Sequence, residues 1–219
     1  IESPERPAGQ KDVLGLALPK MKTVRVGFVG LGMRGPSAVE DFCLIPGVEI
    51  VALCDYVEAR AAKQNETLRK HGLAPAAVYY GEKGYEDLCR RNDIDLVYIA
   101  TDWEHHAVVA KCAMENGKNV ADEVPSAMNL EECWQLIDLA EQKQLNCMIL
   151  ENCCYDWFEM RTLNMAQHGV FGEILHAQGA YIHNLDEFWD YYWKNPNGSD
   201  PEQLGCCLLY TSPSPRDRG

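Results

Sequence analysis

Three glycines in the pattern Gly30-x-Gly32-x-x-Gly35 are the first residues of this chain whose type and spacing could do chemistry. They follow a short apolar run, Val24-Arg25-Val26-Gly27-Phe28-Val29, and lead into a helical segment that runs to Leu44. In that setting each glycine has a physical task. Gly30 permits a tight turn, Gly32 lets the backbone approach a pyrophosphate, and Gly35 allows a helix to pack closely on a strand. The N-terminus of that helix attracts the anion. Asp55 closes the next apolar run, twenty residues after Gly35, where it would accept hydrogen bonds from the adenosine ribose hydroxyls and repel a 2′-phosphate. The pattern predicts a site for NAD(H) rather than NADP(H). Arg34 sits within the loop rather than beside Asp55 and is assigned to the pyrophosphate side.

The elements that must position these residues alternate along the chain. Apolar runs at Val24–Val29, Glu49–Cys54, Val78–Tyr80, Leu96–Ala100, Asn119–Ala121 and Asn146–Leu150 predict strands. Helical stretches are expected at Val57–His71, Tyr85–Arg91, Glu104–Glu115 and Leu130–Gln144. In the last of these Leu130, Cys133, Trp134, Ile137 and Ala140 fall on one face, and Asn129 with Glu132 resembles a capping box. The order requires a Rossmann α/β fold, a doubly wound parallel sheet with right-handed crossovers. After Leu150 the pattern changes. A helix over Asp156–His168 and a longer strand over Glu173–His183 predict the start of an α+β domain with an open sheet. The expected division is an extended arm at 1–22, a dinucleotide-binding domain at 23–150, and an incomplete substrate domain at 151–206.

Composition narrows the partners. A formal charge of −13 with no Lys/Arg cluster argues against nucleic acid and anionic membrane, because the phosphate term needs cations on one face. No apolar run is long enough for a transmembrane helix or a signal-peptide core. The expected partner is a small molecule. The ten cysteines are scattered, mostly within apolar stretches, as buried reduced thiols would be, and the pairs Cys153-Cys154 and Cys206-Cys207 lack metal or redox spacing. No metal is assigned.

Residues 207–219 have their own signature. Cys207-Leu-Leu-Tyr-Thr-Ser-Pro-Ser-Pro-Arg-Asp217 matches the translation of a transposon-type sequencing adapter. The expectation is that natural sequence stops near Gly205 or Cys206 and that the chain, which opens on Ile1, is a fragment. Location stays open between the cytoplasm, which reduced cysteines favour, and export through a leader ahead of Ile1.

Taken together the motifs resemble the glucose–fructose oxidoreductase/inositol dehydrogenase/MocA group. Thr101-Asp102-Trp103-Glu104-His105-His106 is similar to its loop over the nicotinamide ribose, and Glu123-Val124-Pro125 is similar to its Glu-Lys-Pro motif, with Val124 where the dehydrogenases carry a catalytic Lys. Within that group, Gly30 to Gly35, Trp103-x-x-His106, Glu123-Val124-Pro125, Glu151-Asn152-Cys153-Cys154-Tyr155 and Gly179-Ala180-Tyr181-Ile182-His183 resemble glycoside hydrolase family 109, over about Val24 to Leu185. Carried over, Met33, Arg34, Asp55, Trp103, His106, Glu123, Val124 and Asn152 would touch NAD, and Tyr181 would touch the sugar.

The resemblance implies an NAD-dependent α-N-acetylgalactosaminidase. The sugar would be oxidised at C3, lose its C2 proton and its glycosidic oxygen, add water, and be reduced again, so the cofactor is recycled. Val124 fits this, because the missing Lys serves the carbinol proton in a net redox reaction. The family's Tyr-x-Thr-His acid/base segment has no counterpart here, so this chain is expected to bind NAD without hydrolysing substrate. His183 and Tyr155 are the local candidates for proton work. A sugar or polyol oxidoreductase and a noncatalytic NAD-binding homologue remain alternatives, and the superfamily's open sheet implies a homo-oligomer.

Overall fold

The computed structural model describes residues 5–178. The chain divides into two compact units, with the boundary between Leu150 and Glu151.

The first unit alternates strand and helix: β1 Val24–Val29, α1 Gly35–Cys43, β2 Val48–Asp55, α2 Glu58–Lys70, β3 Ala77–Tyr80, α3 Gly84–Cys89, β4 Leu96–Ile99, α4 Trp103–Glu115, β5 Asn119–Asp122, α5 Leu130–Lys143 and β6 Cys147–Ile149. All strands are parallel, in the order β3-β2-β1-β4-β5-β6. The order reverses at β1, and ligands of such sheets bind at the carboxyl ends of the strands where it does so. Because side chains alternate along a strand, each face carries its own core. Val26, Phe28, Leu53 and Tyr98 pack with Ala38 and Val39 of α1 and Ala61 and Leu68 of α2. Val29, Cys54, Val97 and Ile99 pack with Leu88 of α3, Val109 and Met114 of α4 and Leu136 of α5. Burial on both sides explains why the strands read as continuous apolar runs.

Two expectations for α5 are corrected. The stripe that α5 buries is Leu136 with Ala140, and Leu139 packs beside it, whereas Leu130, Cys133 and Ile137 are exposed. Both lines have helical spacing, and the approach of α5 to α4 and β6 selects between them. Cys133 is therefore not one of the buried thiols, unlike Cys54 and Cys89. Burial pushes the thiols of Cys54 and Cys147 up to about 12, which keeps them protonated and unreactive. The capping box at the start of α5 does form, with Glu132 N donating to Asn129 Oδ1 at 2.9 Å. Its return bond goes from Met128 N to Glu132 Oε2, at 2.8 Å.

The described part of the arm ahead of β1 docks on α5. Arg6 Nε donates to Glu141 Oε2 at 2.8 Å, Gln10 Nε2 donates to the same oxygen at 2.8 Å, and Val13 packs on the core. Glu141 is a buried acid, and these two donors satisfy it.

In the second unit α6 spans Trp157–Gln167. The strand expected from Glu173 is absent over residues 173–178, which have no pairing strand among the described residues. A strand exists only through its ladder, so an alternating pattern alone does not make one. The rest of that segment lies outside the described residues.

Candidate cofactor site

Four chain segments meet at the carboxyl ends of β1, β2, β4 and β5. The first is the glycine-rich loop. Gly30 has φ +93°, and a Cβ there would stand 2.3 Å from the Ala100 carbonyl oxygen, so the turn and its approach to the end of β4 both require glycine. A Cβ on Gly35 would stand 2.0 Å from the Gly30 carbonyl oxygen. Gly32 differs. Among the described residues the only atom beyond its chain neighbours within 4 Å of its Cβ position is Arg60 Nη1, at 3.7 Å, so its backbone faces open space there. The loop delivers the chain into α1, which has no side-chain cap and no acidic residue in its first turn. Pro36 in that turn has no N–H and Ala38 N donates to the Arg34 carbonyl oxygen at 3.4 Å, which leaves the N–H groups of Gly35 and Ser37, unpaired among the described residues, to meet an anion.

Asp55 ends β2 and is buried. Its Oδ2 accepts from Leu31 N at 2.7 Å and its Oδ1 from Val57 N at 2.8 Å. The carboxylate thus clasps the glycine-rich loop to the start of α2, and each oxygen keeps a second lone pair for a ribose hydroxyl. An open glycine backbone, a helix with unused donors and an acid at the end of the second strand fit an adenine dinucleotide.

The third and fourth segments follow β4 and β5. Arg34, assigned to the pyrophosphate side, instead reaches across the site, with Nε donating to Glu123 Oε1 at 2.9 Å. That oxygen also accepts a short hydrogen bond from the Tyr98 hydroxyl. Tyr98 is wedged against Phe28 and Phe42, with ring centroids 4.9 and 5.5 Å away. Burial first, and then the Glu123 carboxylate, push its phenol well above the ordinary tyrosine range. Val124 follows, joined to Pro125 by a cis peptide. Trp103 opens α4, capped by Asp102, whose Oδ1 accepts from His105 N at 3.2 Å.

His106 does not face this opening. Its side chain is 2% exposed, with Nε2 3.1 Å from the Thr101 carbonyl oxygen and Nδ1 3.1 Å from Asp122 Oδ1. The second contact is at hydrogen-bond distance without hydrogen-bond alignment. The ring ties the loop after β4 to the end of β5 from beneath. Burial alone would lower the His106 pKa, but the Asp122 carboxylate and the Thr101 carbonyl outweigh it and the net shift is upward. Burial likewise raises the Asp122 carboxyl.

The structure brings together Gly30, Gly32, Arg34, Gly35, Asp55, Glu123 and Val124, with Met33 exposed on the loop and Trp103 half-buried at the mouth. Asn152 and Tyr155 belong to the second unit, where both are exposed. Tyr181 and His183 lie outside the described residues. Tyr98 and Asp122 were not anticipated. Both left a signal, a phenol and a carboxylate inside buried strands, each of which must find a partner. Among the described residues no group of three His, Cys, Asp or Glu is placed to hold a metal ion, and no helix is long and apolar enough to cross a membrane.

Residues 24–150 match the family described as an oxidoreductase family with an NAD-binding Rossmann fold. Glycosyl hydrolase family 109 protein 5 of Phocaeicola vulgatus is 71% identical over 210 residues, which is 96% of this chain and 40% of that protein. Glycosyl hydrolase family 109 protein 1 of Bacteroides thetaiotaomicron is 59% identical over 89% of this chain and 42% of its own length. The chain thus spans about two fifths of the length of these relatives. Among solved structures, myo-inositol dehydrogenase of Lactobacillus casei in complex with NAD(H) and myo-inositol superposes with a TM-score of 0.60 at 24% identity, covering 68% of this chain and 43% of that one. The matched fold and the loop geometry lead to one assignment: this chain belongs to the glucose–fructose oxidoreductase/inositol dehydrogenase/MocA oxidoreductase family, and its site is built for NAD.

Proposed function

We propose that this chain is the cofactor-binding part of an NAD-dependent glycosidase acting on α-linked N-acetylgalactosamine. The observation that carries the reading is Val124, set between Glu123 and Pro125 on the loop after β5. A net dehydrogenase needs a group that takes the carbinol proton, and a valine cannot. The identity to proteins named as glycosyl hydrolases supports the same choice.

When bound, NAD supplies a hydride acceptor that is restored within the turnover, so that a sugar transiently oxidised at C3 gains an acidic C2 proton. The rest falls to the chain's own residues. Gly30, Gly32 and Gly35, with Met33, would seat the pyrophosphate, Asp55 would hold the adenosine ribose, and Arg34 would touch NAD from its place beside Glu123. Trp103, Glu123 and Val124 would border the nicotinamide half, and the family resemblance also assigns Asn152 to NAD. His106 would act from below, fixing the loop that carries Trp103. Tyr181 is assigned to the sugar, and Tyr155 and His183 to proton transfer. Residues 23–150 would form the cofactor domain and 151–206 part of the substrate domain, with a sugar as the partner and a homo-oligomer as the working form.

The test uses a longer protein that carries this chain, purified without added cofactor and given p-nitrophenyl α-N-acetylgalactosaminide while NADH absorbance is followed. Nitrophenol release without net NADH is expected. Stoichiometric NADH from a free sugar, with no nitrophenol, would replace the reading with a sugar or polyol oxidoreductase. Bound cofactor with neither product would make the protein a noncatalytic homologue.

A further inference from the structure

One cation at the site has no settled partner. Arg60 lies in the first turn of α2, where the helix macrodipole disfavours positive charge. Its guanidinium makes no hydrogen bond among the described residues, and its nearest acid, Asp55 Oδ1, is 3.8 Å from Nη1, beyond hydrogen-bond reach. Both oxygens of Asp55 already accept from backbone N–H groups. Nη1 is also the atom that stands over the open side of Gly32, 3.7 Å from the Cβ position. Arg34, the other cation of the loop, is held by Glu123 on the far side of the site.

We infer that Arg60 is the counter-cation for the pyrophosphate of the bound dinucleotide. This role rests on the NAD assignment and adds a residue to it. Gly32 is the point where backbone and pyrophosphate must come close, and a guanidinium over that point can form a charge-assisted pair with a phosphate oxygen. As the phosphates arrive, the side chain leaves its long contact with Asp55, whose outer lone pairs then take the ribose. One movement serves both halves of the adenosine diphosphate. Arg60 is 35% exposed, so it has the freedom to make that movement.

The test is titration of NAD⁺, ADP and adenosine into the full chain and its Arg60→Ala and Arg60→Lys variants, with thermal unfolding as the check on folding. Arg60→Ala should weaken NAD⁺ and ADP by about ten- to a hundred-fold, the range of a hydrogen bond to a charged group. Adenosine, which lacks phosphate, should change less than about two-fold, and Arg60→Lys should recover part of the loss because it keeps the charge. The melting temperature should stay within a few degrees, since the side chain makes no hydrogen bond to lose. Unchanged NAD⁺ affinity in Arg60→Ala would overturn the inference while leaving the cofactor assignment intact. An equal loss for adenosine would overturn it in favour of a contact with the nucleoside. Failure of the unsubstituted chain to bind NAD⁺ would remove the cofactor assignment and this inference together.

Discussion

Arg34 and Glu123, 89 residues apart in sequence, join across the mouth of the site, with Nε 2.9 Å from Oε1. The bond links the glycine-rich loop to the loop that carries Val124, so the two halves of a dinucleotide site are held in register by one ion pair. Tyr98 backs the same carboxylate from inside the sheet. Arg34 is largely exposed, and an exposed pair contributes little to stability. Arg34→Ala should therefore cost under about 1 kcal/mol in a denaturant melt. Tyr98→Phe removes a hydrogen bond from a buried phenol and should cost about 0.5–1.5 kcal/mol. A larger loss from Arg34→Ala than from Tyr98→Phe would contradict this division of labour.

The glycines separate folding from binding. Gly35→Ala would drive a Cβ to within 2.0 Å of the Gly30 carbonyl oxygen, and should cost about 3 kcal/mol or more as the turn opens. Gly32→Ala meets open space and should change stability by less than about 0.5 kcal/mol. It should nonetheless weaken NAD⁺ strongly, because the new methyl group occupies the approach that the pyrophosphate needs. Chemical denaturation and cofactor titration on the same two variants check both halves.

The His106–Asp122 pair makes stability depend on pH in a stated direction. The folded pKa of His106 lies above its ordinary value, so its contribution is full below about pH 6.5 and is lost as pH rises through the folded value. Asp122, also raised, works in the same sense, since it too binds its proton more tightly in the folded state. The melting temperature of the unsubstituted chain should exceed that of His106→Gln by more at pH 6 than at pH 9. A gap that widened toward pH 9 would show that the ring is held neutral.

Glu141 behaves in the opposite way. Its hydrogen bond from Arg6, then that from Gln10, hold its carboxyl below the usual range. Its contribution is present above the unfolded glutamate value and fades as pH falls through the folded one. Arg6→Ala should lower the melting temperature at pH 7, and the difference should close as the solution is acidified. Equal melting temperatures at pH 7 would mean that the arm does not hold α5.

What the sequence disclosed follows from how local each cause is. The turn at Gly30, the strand before it and the acid at Asp55 are constraints written within one βαβ unit, and all three stand where spacing placed them. The buried face of α5 was read correctly at Ala140 and misread at Leu130, Cys133 and Ile137, because these and Leu136-Leu139-Ala140 are both helical lines, and only the neighbouring α4 and β6 choose between them. Arg6 and Glu141 are 135 residues apart, and no local pattern joins them. His106 was expected at the cofactor, yet its ring turns inward because Asp122, an acid within a buried strand, needs a partner there. Arg34 meets Glu123, a half-buried acid 89 residues away, and no local pattern joins those two either.

The most direct test of the account is calorimetric titration of NAD⁺ into the chain beside its Gly32→Ala variant. Saturable binding of one dinucleotide per chain, lost in the variant while the melting temperature holds, is the result predicted. Absence of binding to the unsubstituted chain, or equal affinity in both, would contradict the claim that the glycine-rich loop and Asp55 form the cofactor site.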